Sequence, residues 1–202
     1  AILLTANGKM FSAGGDLKEF AAYGDEITLK IKELMVYLHA SISRFARMDI
    51  PLVIAVNGMA AGAGFSLACV GDIVYAAQSA RFTMAYTGIG LSPDGGSSFF
   101  LPRLIGMRRT QELMLCNRML GADEALQWGI VSKVVADDEI YAAAFKTASE
   151  LAQGPTRAYA QVKKLLLDSG QQSLETQMEL EARSMAEMTR SEDGMNGINA
   201  FL

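Results

Sequence analysis

The 202-residue sequence holds only two cysteines, one histidine, one tryptophan and four prolines, and these scarcities remove several classes of protein. Cys69 and Cys116 lie far apart, form no CxxC and sit in apolar surroundings. That pattern argues against a disulfide scaffold and for reduced core thiols in the cytoplasm. Basic residues cluster no further than "MRR" and "KK", and the net charge is -4, so neither nucleic acid nor an anionic membrane surface is expected as a partner. The longest uncharged stretch, residues 50–71, is broken by Pro51, Asn57 and several glycines, which makes a poor membrane span. No signal peptide is visible. The chain opens on "AILLTA" without a methionine, which reads as the interior of a domain with residues expected ahead of Ala1.

What is present is apolar. Half of the residues, 50%, are hydrophobic, enough for one globular domain with a helical appendage. "AILLTA" and "PLVIAV" are short, nearly continuous apolar runs, as strands buried on both faces of a parallel sheet require. Between them Ile31, Leu34, Met35, Leu38, Ile42, Phe45 and Met48 recur at threes and fours, predicting a helix over 27–48 and hence a βαβ unit. A helix is expected over 62–70, strands at "DIVYAA" and "RFTMA", and helices at "SSFFLPRLIG" and "MRRTQELMLC". "GADEALQWGIVSKVV" reads as a short helix and a last strand. Residues 138–152, the segment after Pro155, and 173–190 read as helices. The fold class is therefore α/β, with a core over 1–137 and a helical C-terminal region over 138–202.

Two stretches are poor in side chains. "NGMAAGAGFSLACVGD" places Gly58, Gly62, Gly64 and Gly71 directly after a strand, and "FSAGGDLKEF" places Ala13, Gly14 and Gly15 between a strand and a helix. A dinucleotide fingerprint fails because Leu67 stands where its third glycine belongs, and no Gly-Lys-Ser/Thr triplet makes a phosphate loop. Close packing of helix on sheet remains one reading. The other is that exposed N–H groups at two neighbouring strand-to-helix turns converge on a ligand oxygen as an oxyanion hole.

With "GIGLSPDGGSSFFLPRLIGMRR" and "ADEALQWGIVSKVV", these stretches resemble the crotonase (enoyl-CoA hydratase/isomerase) superfamily in order and spacing, over essentially the whole chain. "ELAQGPTRAYAQVKKLLL" further resembles its phenylacetate-pathway branch, the PaaG-like ring-epoxide and enoyl-CoA isomerases. The resemblance implies a spiral of ββα units, with the family's first strands falling ahead of Ala1. It also implies trimers, or dimers of trimers, joined through the C-terminal helices. The backbone N–H groups of Gly15 and Ala63 would hold the thioester oxygen of an acyl-CoA, with Ala13, Asp16, Leu17, Gly62 and Ser66 around the substrate. Side chains at 62–64 would block that approach. Coenzyme A is the substrate's carrier, and no metal or redox cofactor is implied. Lys18, Lys163 and Lys164 are candidates for its phosphates.

The two glutamates of the family's hydratases correspond, counted without gaps, to Ser66 and Tyr86, neither of which is a base near neutral pH without a strong activator. Asp94 matches the acidic position of the isomerase branch and, in the aryl-CoA dehalogenase branch, of an attacking carboxylate. One carboxylate, raised in pKa by desolvation, suffices to take a proton from one carbon and return it two carbons away. The alternative for Asp94 is a helix cap before Gly95. His39 matches a dehalogenase-branch base, although a partly buried histidine on a helix is more often structural. Tyr86 is a catalytic or pocket residue, or packing. The expectation is an acyl-CoA isomerase, with a hydratase, hydrolase or dehalogenase on the same scaffold as the alternative. Two other classes are a non-catalytic acyl-CoA binder and a serine hydrolase on Ser66 and His39, whose "GFSLA" lacks the second glycine of a nucleophile elbow.

Overall fold

The computed structural model describes residues 1–200 and 202. The predicted apolar runs form β1 (Ile2–Leu4), β3 (Leu52–Val56) and β5 (Ile73–Ala77), and with β8 (Lys133–Val135) they make one four-stranded sheet in the order β1-β3-β5-β8. All its pairings are parallel, and β3 at its centre is buried at every residue, which is why that run carries no polar alternation.

A second sheet, β2-β4-β6-β7, is built from β2 (Met10–Ser12), β4 (Met59–Ala61), β6 (Arg81–Thr83) and β7 (Leu120–Gly121). Its pairings are parallel except β6 with β7. β1, β3 and β5 of the first sheet are each followed by a short strand of the second and then by helix, giving the repeated ββα spiral. The helices are α1 (Leu17–Ala22) and α2 (Ile27–Arg47) after β2, α3 (Ala63–Ala68) after β4, and α4 (Ser97–Ile105) with α5 (Met107–Cys116) after β6. Next, α6 (Ala122–Trp128) sits between β7 and β8.

β4 and β7 are strands that the sequence patterns do not predict. Strands of two or three residues are too short to show any alternation, and only pairing with β2 and β6 creates them. The apolar stripe of α2 also behaves unevenly. Ile42 is buried and Leu38, Phe45 and Met48 pack on the core, while Leu34 stays exposed.

The C-terminal helices are α7 (Ile140–Ala152), α8 (Thr156–Ser169), α9 (Leu174–Met188) and α10 (Glu192–Ala200), the last unforeseen in the sequence. α7 belongs to the core by packing, with Ile140, Ala144 and Ala148 buried on the first sheet. Cys69 is buried but Cys116, expected in the core, is exposed at the last residue of α5, where Asn117 turns the chain into the left-handed region. Both are free thiols. No helix among the described residues is long and apolar enough to cross a membrane.

Candidate active site

The two glycine turns abut. β2 pairs with β4, so the segments leaving them, Ala13–Gly15 and Gly62–Ala63, emerge side by side. Gly14 has φ +93° and Gly62 φ +53°, conformations that residues with a side chain rarely adopt. A Cβ placed on Gly14 would lie 3.3 Å from the Ala63 nitrogen and 3.1 Å from the Ala61 oxygen. Gly58 and Gly64 serve packing instead: a Cβ on Gly64 would strike the Ser12 carbonyl oxygen at 2.4 Å, and one on Gly58 the Lys9 oxygen at 2.2 Å. The packing reading therefore holds for part of the stretch, and position 14 adds its own crowding next to the Ala63 amide.

Neither Gly15 nor Ala63 donates its N–H to another group among the described residues, whereas Gly14 N–H donates to Ser12 Oγ at 3.3 Å and Gly62 N–H to Thr83 O at 3.1 Å. Ala63 opens α3, where the N–H has no intrahelical partner. Gly15 is exposed, and Ala63 half-buried. The same turn carries Ala13, exposed, and Asp16, whose carboxylate caps α1 by accepting from Lys18 N–H at 2.9 Å and Glu19 N–H at 3.3 Å. Leu17 is 50% exposed beside it.

Behind Ala63, on the same short helix, Ser66 is completely buried. Its hydroxyl lies 3.3 Å from the Gly62 carbonyl oxygen and 3.3 Å from the Tyr86 hydroxyl. Tyr86 in turn donates to Asp94 Oδ1 at 2.5 Å. Burial, and then donation to the Asp94 carboxylate, push the Tyr86 phenol well above its ordinary range, so it remains a protonated donor. Tyr86 is aimed by an unusual turn: its N–H donates to Met84 O at 2.8 Å across Ala85, which has φ +59°. A left-handed alanine in such a tight turn stores strain, as residues fixing a site often do.

Asp94 is half-buried and does not cap α4 through its side chain. Only its backbone carbonyl serves that helix, accepting from Ser97 N–H at 3.2 Å and Ser97 Oγ at 2.9 Å. The cap alternative is thus met by the main chain, and the carboxylate is left to Tyr86. The next residue, Gly95 at φ +58°, presses on Ser66, where an added Cβ would lie 2.8 Å from Ser66 Cβ. His39 is exposed on α2 and forms neither a hydrogen bond nor an ion pair with Asp94. It lines a cavity of about 350 Å³ together with Ile42, Gly96, Phe99 and Phe100.

Two of the lysines considered for phosphate are engaged elsewhere. Lys163 is nearly buried and donates to Asp72 Oδ2 at 2.6 Å, Ile50 O at 3.1 Å and Phe45 O at 3.2 Å, because α8 packs against α2 there. Lys164 pairs with Asp49 at 2.8 Å. Gly14 as the neighbour of the Ala63 nitrogen, the Ser66 bridge and the Ala85 turn were not read from the sequence. Only the doubled glycine at 14 and 15 carried a signal, since positive φ at an alanine has none.

A spiral of ββα units that brings the turns after two neighbouring second-sheet strands to one mouth is the crotonase fold. The chain belongs to the enoyl-CoA hydratase/isomerase family, whose model matches residues 1–202. It is 40% identical over 202 residues to the protein named probable enoyl-CoA hydratase in Rhodobacter capsulatus, covering all of this chain and 77% of that one. It is 37% identical over 186 residues to a 4-chlorobenzoyl coenzyme A dehalogenase of Arthrobacter sp, covering 92% and 67%. With the 1,2-epoxyphenylacetyl-CoA isomerase of Escherichia coli it shares 36% identity over 205 aligned positions, covering 100% and 77%. The crystal structure of an enoyl-CoA hydratase from Polaromonas sp. superposes with a TM-score of 0.94 at 33% identity, over 98% of this chain and 77% of that one.

Proposed function

We propose that this crotonase-type acyl-CoA enzyme is an isomerase that moves a proton on an acyl-CoA thioester with Asp94 as the single acid–base group. The Gly15 and Ala63 N–H groups take the thioester oxygen. The Asp94 oxygen not held by Tyr86 removes a proton from the carbon next to the carbonyl. The C–H electron pair moves into an enolate, conjugated with the neighbouring double bond, and the charge settles on the thioester oxygen. Return of the same proton to the γ carbon re-forms the carbonyl and leaves the double bond conjugated with it. On a ring epoxide the same charge stabilisation would accompany opening of the C–O bond. Two preorganised donors of this kind each contribute about 3 kcal/mol to a transition state that carries the charge. Coenzyme A enters as the carrier, and neither a metal nor a redox cofactor takes part in this scheme.

The observation that carries the reading is the pair Ser66 and Tyr86. In place of two acids, the site holds two hydroxyls bonded to each other, with Ser66 wholly buried beneath Gly95. Of the three bonded groups Ser66, Tyr86 and Asp94, only Asp94 is a carboxylate. The similarity to isomerases and to a dehalogenase supports the same side. A hydratase is the second reading, favoured by the Rhodobacter capsulatus relative. Assembly as a trimer or dimer of trimers through the C-terminal helices goes with this reading, supported by exposed Leu166, Leu174, Met178 and Met185, as does a cytoplasmic location.

The test is incubation with 3-enoyl-CoA and 2-enoyl-CoA, separating double-bond isomers from hydroxyacyl-CoA by chromatography. Double-bond migration is expected, with Asp94→Asn lowering it by about a thousandfold. Fast water addition indifferent to Asp94→Asn would overturn the reading.

A further inference from the structure

One chain of polar groups joins the two halves of this site. The Gly62 carbonyl accepts from Phe65 N–H at 3.0 Å, Ser66 N–H at 3.1 Å and the Ser66 hydroxyl at 3.3 Å. Gly62 C=O and Ala63 N–H belong to one trans peptide and point in opposite directions. Donors gathered on the oxygen fix that peptide plane and draw electron density from the nitrogen, which makes the outward N–H a stronger donor. At the other end, Tyr86 spends its one proton on Asp94 Oδ1 at 2.5 Å, so its oxygen is left to accept. Ser66 has one proton and two acceptors, Gly62 O and the Tyr86 oxygen, each at 3.3 Å.

We infer that Ser66 is a positioning residue for the reaction, coupling the amide that holds the thioester oxygen to the carboxylate that moves the proton. The inference rests on the isomerase reading given above. With Asp94 ionised, the Ser66 proton is shared between its two equidistant acceptors, the Gly62 oxygen and the Tyr86 oxygen, and in the second orientation it strengthens the phenol as a donor to the carboxylate. Once Asp94 has taken the substrate proton and the oxygen charge has appeared at the Ala63 N–H, the Gly62 oxygen becomes the better acceptor and the Ser66 proton turns to it. No covalent bond changes in this swing. A single hydroxyl thereby follows the negative charge from the base to the oxyanion.

Ser66→Ala keeps the buried volume nearly filled and removes only the hydroxyl. Its kcat for the double-bond shift should fall about fivefold with KM within twofold, and melting should be little changed. Tyr86→Phe should cost about tenfold, and the double variant less than the product of the two single costs, because part of the Ser66 effect reaches Asp94 only through that phenol. The second readout needs no turnover: the infrared C=O stretch of bound butyryl-CoA carrying carbon-13 at the carbonyl. Ser66→Ala should move that stretch back toward its value in free butyryl-CoA, since the Ala63 N–H donates less strongly. An unchanged stretch in Ser66→Ala, a loss confined to KM, or costs that multiply in the double variant would each overturn the coupling. If the wild type shifts no double bond and Asp94→Asn behaves as wild type, the isomerase reading fails by itself. The carbonyl stretch still decides the role of Ser66 in that case.

Discussion

The Ala63 nitrogen lies 3.3 Å from the place where a side chain on Gly14 would begin. Position 14 therefore keeps open the amide proposed to take the thioester oxygen, and it does so at φ +93°. Gly14→Ala is expected to lower kcat/KM by about a hundredfold, the loss typical of one oxyanion donor. The control is Gly8→Ala, at φ +87° but with nothing within 4 Å of an added Cβ. Both variants should lose about 1 kcal/mol of stability from the left-handed backbone, and only the first should lose activity. Steady-state kinetics beside urea titrations separate the two effects.

Lys163 tests whether the cation near the end of the chain serves structure or coenzyme A. Its ammonium sits 2.6 Å from Asp72 Oδ2, an oxygen that also accepts from Leu52 N–H at 2.7 Å at the start of the central strand. Lys163→Met should therefore cost about 1–3 kcal/mol by removing the charged donor shared by Asp72 and the Ile50 and Phe45 carbonyls, with KM for acyl-CoA unchanged. A KM raised about tenfold at unchanged stability would instead place this lysine on the coenzyme's phosphates.

Burial pushes the Cys69 thiol up from 9.0 to about 12. The folded state thus prefers the neutral thiol. Its contribution to stability is complete below pH 9 and is lost as pH rises through 12. Wild-type stability in urea should fall by about 2 kcal/mol more between pH 8 and pH 11 than that of Cys69→Ala. Thiol titration of the native protein should count one reactive group, the exposed Cys116, and two in denaturant.

His39 stands on the exposed side of α2 with no bond to Asp94, whose Oδ1 is already taken by Tyr86. His39→Gln should leave kcat for the double-bond shift within about threefold. A fall near that of Asp94→Asn would make the histidine a second base.

Much of the scaffold was legible in advance because long apolar runs and three-four spacings have only one way to bury themselves. The central strand "PLVIAV", the helix through Ile42 and the glycine turns at 14–15 and 62 all lie where their patterns put them. The short strands β4 and β7 were not legible. Two or three residues carry no period, and they become strands only because β2 and β6 offer them backbone partners. Cys116 shows the same limit, since an apolar sequence neighbourhood does not tell which face of a helix turns outward.

From the order of its residues alone, then, this protein had its α/β class, its two glycine turns and its one candidate acid, each a property of local pattern. The meeting of those turns belongs to the fold. So do the burial of Ser66 under Gly95 and the hand-over of the Asp94 side chain from a helix cap to Tyr86. Ser66, Tyr86 and Asp94 stand 8 to 28 residues apart along the chain. Only the pairing of β4 with β6 and the seating of α4 on α3 bring them within hydrogen-bonding distance.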